Sequence, residues 1–436
     1  MLSTKVILLG LAFFTPTVFS QELSKLDRGR AQDILKVVGD DVRKHYYDPK
    51  FHGLNWDAEI GEAKDKISQA KSFSMAMAHI AAMLDKLNDS HTFFLPPEHA
   101  YRHDFGWRYQ MIGERCFITQ VRPKSDAETK GLKPGDEVLT VNGFTPDRSS
   151  FWRMKYLFSV LRPQPSLKLG LQDLVGTQRQ VEVAAKIREV KHLTDLTAAN
   201  GASDIWDIIR EEQTEQHLMR ARTVERGDEL MILKLPEFSL SPIEVGDLIT
   251  KARKHKALVM DLRGNPGGDV ETLKNFIGGV FDKDIKIGDR SGRKETKPVV
   301  AKSFRSPFGG KLIVIVDGES ASAAELFARV IQLEKRGSVF GDRTSGSVME
   351  ARHYDEKWGA DINIFYGVSI TDADIIMSDG KSLEHTGVVP DELLLPSPAA
   401  LANGRDPVLA RAAEFLGVKI SSEEAGKLFP YEWAPE

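Results

Sequence analysis

Apolar positions near the start of the chain recur at helical spacing: Ile34, Leu35, Val38, Val42 and Tyr46 share one face, and Ile60, Ala63 and Ile67 share another stripe. Tyr47-Asp48-Pro49 is expected to stop the first helix, because the residue before a proline avoids the helical region, and Asp57 is placed to cap the second. A third helix is expected from about Ser74 to Leu87, so that 21–100 forms a small helical domain ending in Asn88-Asp89-Ser90-His91-Thr92. The period then shortens. Strand-length pieces recur at Cys116 to Val121, Glu137 to Val141, Leu167 to Leu171 and Val181 to Ala185. A polar stretch rich in Glu, Arg and Gln follows over 191–228 and reads as a helical insertion or linker. From 229 to 436, strands (Leu230 to Leu235, Leu258 to Leu262, Leu312 to Val316) alternate with helices (Pro242 to Lys254, Val270 to Phe281, Ser322 to Glu334). That alternation predicts a mixed α/β protein whose core holds a largely parallel sheet.

The extreme N-terminus departs from this pattern. Lys5 precedes an apolar run from Val6 to Phe14, then small and polar residues to Ser20-Gln21, which predicts a signal peptide over 1–20 cleaved after Ser20. The run is short for a bilayer span, so the mature chain is expected to be exported, periplasmic or extracellular, without a transmembrane segment; an uncleaved anchor is the alternative. At 436 residues the chain has room for two or three domains. Its 59 basic and 63 acidic residues leave a net charge of −4, so nucleic acid is not an expected partner. Cys116 is the only cysteine, which excludes an intrachain disulfide and a thiolate metal site. No metal or cofactor is expected.

Two segments carry candidate chemistry. Val259 to Gly268 and Ile313 to Glu325 each read as a buried strand, a turn of small residues and a helix start. Ser322 opens the second helix, where free N–H groups and the positive dipole end would favour an alkoxide and an oxyanion. Ser320 and Ser322 read equally well as helix caps. Gly264-Asn265-Pro266-Gly267-Gly268 lacks the Lys-Ser/Thr of a phosphate loop and suits an oxyanion hole better, since glycine lets backbone approach an attacked carbonyl. A serine nucleophile needs a base. Of the 11 histidines, His91 stands out in its polar turn, with His353 and His385 as rivals.

These residues carry two resemblances. Gly131-Leu132-Lys133-Pro134-Gly135-Asp136, with Val138-Leu139 and Val141-Asn142-Gly143, resembles the PDZ-domain motif and implies a PDZ-like domain over 101–190. Asp261-Leu262-Arg263 with Asn265 and Gly267-Gly268, then Ser320-Ala321-Ser322-Ala323-Ala324-Glu325, the upstream Asp89-Ser90-His91-Thr92 and the late Leu383-Glu384-His385-Thr386-Gly387-Val388-Val389-Pro390-Asp391 together resemble the C-terminal processing peptidase and tricorn-like family of serine peptidases. The resemblance covers nearly the whole mature chain in the family's order. It implies a core of the ClpP/crotonase type, Ser322 as nucleophile, and Ala323 with Gly267 as oxyanion donors. The processing-peptidase branch places its lysine base where this chain has Ser347. The tricorn-like branch instead implies His91 as base, with Ser90 and Glu384 orienting it; Lys357 as a displaced lysine base is the rival. Phe105-Gly106-Trp107-Arg108 could hold a peptide's terminal carboxylate as the peptide adds as a strand, although Trp107 and Phe105 could equally be packing groups. The expected activity is an exported serine endopeptidase acting on flexible or C-terminal segments of polypeptide substrates, with a homo-oligomer left open. A non-catalytic peptide- or hydrophobic-ligand-binding relative of the same fold is the alternative, since the family also resembles retinoid-binding proteins. A PDZ scaffold with a purely structural core is the third possibility.

Overall fold

Side-chain caps set the starts of the first three helices, α1 (Lys25–His45), α2 (Trp56–Ser68) and α3 (Phe73–Asp85): Ser24, Asn55 and Ser72 accept the N–H groups of Asp27, Ala58 and Met75. The cap of α2 is thus Asn55, not Asp57, which lies inside the first turn. The computed structural model describes residues 23–99, 101–189, 214, 216–359 and 364–434. The expected signal peptide (1–20) and most of the expected insertion (191–228) lie outside the described residues.

Ile34, Leu35, Val38, Val42 and Tyr46 are buried, as their spacing demands. They pack against Ile80 and Leu84 of α3 and against Phe94, Val368 and Ile370. The last three belong to strands: Phe93–Leu95 pairs antiparallel with the 14-residue strand Ile364–Met377, in the register Phe93↔Ser369. This pairing anchors the turn that carries Ser90 and His91. Thr371 then ties the turn down, donating its hydroxyl to Asp89 Oδ1 (2.6 Å) and its N–H to Thr92 Oγ1 (3.0 Å).

Residues 107–184 form a five-stranded antiparallel sheet in the order Trp107–Ile112, Arg115–Val121, Glu137–Val141, Ser166–Gln172, Gln178–Ala184. Its core includes Trp107, Ile118, Val138, Leu169 and Phe158. Strand Trp107–Ile112 lies at the edge of this sheet.

The expected ClpP/crotonase-like core with a largely parallel sheet is not what the chain builds. It is a mixed α/β fold in which, among the described residues, three of the four sheets are antiparallel. Among the strands of the described residues, parallel pairing joins the five neighbours Glu392–Leu393, Ser338–Gly341, Lys311–Val316, Ala257–Asp261 and Leu230–Lys234, and the sixth strand, Arg222–Arg226, is antiparallel. The reason is local. Over 229–334 near-continuously apolar strands alternate with helices, which is the parallel signature, but the hairpin Ile285–Gly292/Thr296–Ala301 and the pair Met349–Trp358/Ile364–Met377 carry polar residues and show no such signature. The six-stranded sheet is covered on both faces. Met231, Leu233, Leu258 and Val314 pack with Phe276 and Phe327 of two helices, while Ile232, Val259 and Ile315 pack with Leu409 and Ala412 on the other face.

Candidate active site

Strands Ala257–Asp261 and Lys311–Val316 are parallel neighbours, so the two turns that follow them lie side by side at their carboxyl ends. Side chains lace the turns together. Ser320 Oγ donates to Leu262 O (2.8 Å), and Ala321 N–H donates to Asn265 O (2.9 Å). Asp317 Oδ1 accepts N–H groups from Gly264 (2.9 Å) and Glu319 (3.0 Å). The Asp261 and Arg263 of the first motif are structural: Asp261 is buried against Arg263 and Lys234, which hold its carboxyl well below the usual range against the opposing effect of burial.

Ser322 sits at the start of helix Ala323–Leu333 with φ 51° and ψ −118°, a conformation that costs a non-glycine residue about 1–3 kcal/mol. Gly267 (φ +107°) presses on it: a Cβ there would lie 2.6 Å from Ser322 Cβ and 3.0 Å from Ala323 N. Only glycine fits. The expected donors Gly267 and Ala323 therefore stand together beside Ser322, although Gly267 N–H also bonds Asn265 Oδ1 at 2.8 Å.

Ser90, His91 and Glu384 come together from opposite ends of the chain. Ser90 Oγ lies 2.8 Å from His91 Nδ1 and donates to Glu384 Oε2 at 2.9 Å. A hydroxyl has one proton, so with that proton on Glu384 the histidine must donate through Nδ1–H, which leaves Nε2 bare as a base requires. Glu384 also accepts the N–H groups of Ser90 (2.9 Å) and Val348 (2.8 Å). Ser347 O, one residue before Val348, accepts Ser322 N–H at 2.8 Å. Segment Ser347-Val348 thus joins the Ser322 turn to the hydrogen-bonded line of His91, Ser90 and Glu384. Burial lowers the His91 pKa, with Asp89 opposing and His353 assisting, and burial raises that of Glu384 against the pull of its N–H donors. A neutral base persists further into acid when its pKa is lowered. The acid limb of kcat/KM is therefore expected below the ordinary histidine value of 6.5, and a pH–rate profile checks it.

One residue of the site was quoted in a motif but given no role. Glu325 is fully buried, and its carboxylate accepts Thr344 Oγ1 (2.5 Å), Gly346 N–H (2.8 Å), Ser347 N–H (3.0 Å) and Ser322 N–H (3.0 Å). It holds Ser322 to the very loop where the lysine was expected. Burial pushes its pKa up to about 7 despite these four donors. An unfolded-state value near the ordinary 4.5 means that the native state binds the extra proton, so this group's contribution to stability is full below 4.5 and is lost as pH rises through about 7. Glu325→Gln keeps one acceptor oxygen and turns an NH2 toward two donors. It is expected to flatten that pH dependence of thermal stability and to lower kcat about 10²-fold by misplacing Ser322, with KM little changed.

The rival bases have partners of their own, although His385 lies 3.7 Å from Glu384 and lines the same cleft as Ser90. His385 bonds Asn88 O (2.9 Å), and His353 and Lys357 lie on strand Met349–Trp358, pairing with Ser369 and Phe365. Trp107 is buried and stacks on Tyr109 at 4.5 Å, and Phe105 packs against the same core. Gly106 N–H is taken by Asp104 Oδ1 (2.9 Å) and Gly106 O by Arg122 N–H (2.7 Å). Arg108 reaches toward the Ser322 turn, 3.7 Å from Glu319. A cleft of about 330 Å³ is lined by Ser90, Gly346 and Ser347 together with Met111, Phe151 and Lys155. Among the described residues, no helix is long and apolar enough to cross a membrane, and no cluster of three or more His, Cys, Asp or Glu could hold a metal ion.

Residues 229–394 match the model of Peptidase family S41. The chain is 24% identical to the tail-specific protease of Haemophilus influenzae over 75% of its own length and 46% of that protein's, so it spans less than half of that relative. It is 25% identical to the chloroplastic carboxyl-terminal-processing peptidase 1 of Arabidopsis thaliana, over 84% of this chain and 71% of that one. Among solved structures, that of mature CPAF shares the fold with a TM-score of 0.64 at 16% identity, covering 87% of this chain and 95% of that one.

Proposed function

We propose that the chain, whose residues 229–394 match the model of Peptidase family S41, is an exported serine endopeptidase cutting polypeptides in flexible or carboxyl-terminal segments. In this reading Ser322 attacks the scissile carbonyl, His91 takes its proton, and water releases the acyl-enzyme. The base follows the tricorn-like arrangement, a histidine ahead of a PDZ-like domain, in place of the lysine that Ser347 displaces. What supports it most is the line from His91 Nδ1 through Ser90 Oγ to Glu384. A proton gained at Nε2 puts a positive charge in a buried place, and a carboxylate at the far end of that line offsets it. Ala323 N–H, at the positive end of its helix, and Gly267 N–H, once shared with or released by Asn265, would take the oxyanion.

The substrate class comes from relatives named for tail-specific and carboxyl-terminal processing. The export assignment rests on residues 1–20. We assign 21–100, 101–190 and 229–436 as the helical, PDZ-like and catalytic units. The reading is tested by treating the purified protein with a fluorophosphonate probe, mapping the label, and incubating it separately with an unfolded polypeptide. Label on Ser322 and fragments cut within the substrate's disordered regions are expected. Failure of both across the neutral pH range would favour the non-catalytic binding relative instead.

A further inference from the structure

The described chain ends in Pro430-Tyr431-Glu432-Trp433-Ala434, and this segment is gripped from two sides. Alternate side chains of an extended segment point in opposite directions. Tyr431 and Trp433 meet the five-stranded antiparallel sheet: Arg108 Nη1 donates to Tyr431 Oη at 3.0 Å, the Arg108 guanidinium lies 5.0 Å from that ring's centroid, and the Arg122 guanidinium lies 4.8 Å from the Trp433 centroid. The two rings pack edge to face at 4.8 Å. Asp104 holds Arg122 in place at 2.9 Å. Glu432 faces the other way. It takes both oxygens to Arg220 (2.9 Å each), one to Arg222 (3.2 Å), and lies 3.4 Å from His217, while Arg222 also donates to Pro430 O at 3.0 Å.

We propose that Arg108 and Arg122, with Arg220 and Arg222 opposite, form a recognition site for polypeptide segments of the pattern aromatic–acidic–aromatic, a site that the chain's own Tyr431-Glu432-Trp433 occupies. Each element of the ligand meets its own chemistry: guanidinium faces take the rings, and a bidentate arginine takes the carboxylate. A tethered tail is present at a high effective concentration, of the order of millimolar for a short flexible link. Free segments of the same pattern must therefore displace it. The site also touches the nucleophile turn, because Arg108 lies 3.7 Å from Glu319, which pairs with Lys155 in the cleft wall. The proposal concerns binding alone and stands whether or not Ser322 is a nucleophile.

Fluorescence polarisation of a labelled peptide with the sequence Phe-Pro-Tyr-Glu-Trp-Ala tests it on the full chain. Wild type is expected to bind weakly. The double variant Tyr431→Ala, Trp433→Ala, and separately the surface variant Glu432→Lys, should each bind the peptide at least about tenfold tighter because the competing tail is gone. Adding Arg108→Ala to either, or replacing the peptide's Glu by Lys, should remove the gain. Equal affinity of wild type and both tail variants, or binding indifferent to the peptide's acidic residue, would overturn the assignment.

Discussion

Ser322→Ala is expected to lower kcat on a polypeptide substrate by about six orders of magnitude, a loss of about 8 kcal/mol in transition-state stabilisation. Such a loss arises because no covalent intermediate can form once the hydroxyl is gone, while the oxyanion donors and the binding cleft retain a small residual rate over water. Steric grounds favour a folded variant. Alanine removes one oxygen and leaves the Cβ that Gly267 packs against, together with the Ser322 N–H bonds to Ser347 O and Glu325. Single-turnover kinetics and the disappearance of fluorophosphonate labelling check the result, and a variant that still cleaves at a wild-type rate would remove Ser322 from the mechanism.

His91→Ala carries the second large effect, a fall in kcat of about 10⁴ to 10⁶ with KM little altered. Its partners are left in place, since Ser90 Oγ still donates to Glu384 and Asp89 still holds the turn through Thr92 N–H and the Thr371 hydroxyl. Combined with Ser322→Ala the loss should be no greater than with Ser322→Ala alone, because a nucleophile and its base act as one unit. Lys357→Ala, on the edge of the long strand pair, should leave kcat unchanged. Stopped-flow or discontinuous assays on the three variants and the double distinguish these outcomes, and a collapse with Lys357→Ala but not with His91→Ala would move the base.

What could be read along the chain was whatever a short stretch of backbone decides. Ser322 and Gly267 stand in strand–turn–helix segments whose apolar runs and small residues announce the turn, and helix α1 showed its buried face through the spacing of Ile34, Leu35, Val38 and Val42. His91 was singled out from 11 histidines by its polar turn, but its pairing with Glu384 rested on a resemblance to a family, not on anything local. Glu325 illustrates the opposite case. An acid in the first turn of a helix reads as a favourable dipole contact with solvent, and nothing nearby in sequence says that Thr344, Gly346 and Ser347 fold over it and seal it from water.

The fold divides along the same line. Buried parallel strands advertise themselves by near-continuous apolar runs, as in Ala257 to Met260, whereas Met349–Trp358 carries charged side chains and declares its partner only by pairing with Ile364–Met377. Local patterning alone determined the helices and the two glycine- and serine-rich turns, because each depends on residues within a few positions of one another. Tertiary structure decided the rest. Sheet direction, the burial of Glu325 and the meeting of Ser90 with a carboxylate 294 positions away all depend on contacts between distant segments, whose free energy comes from excluding water at surfaces that no single segment possesses.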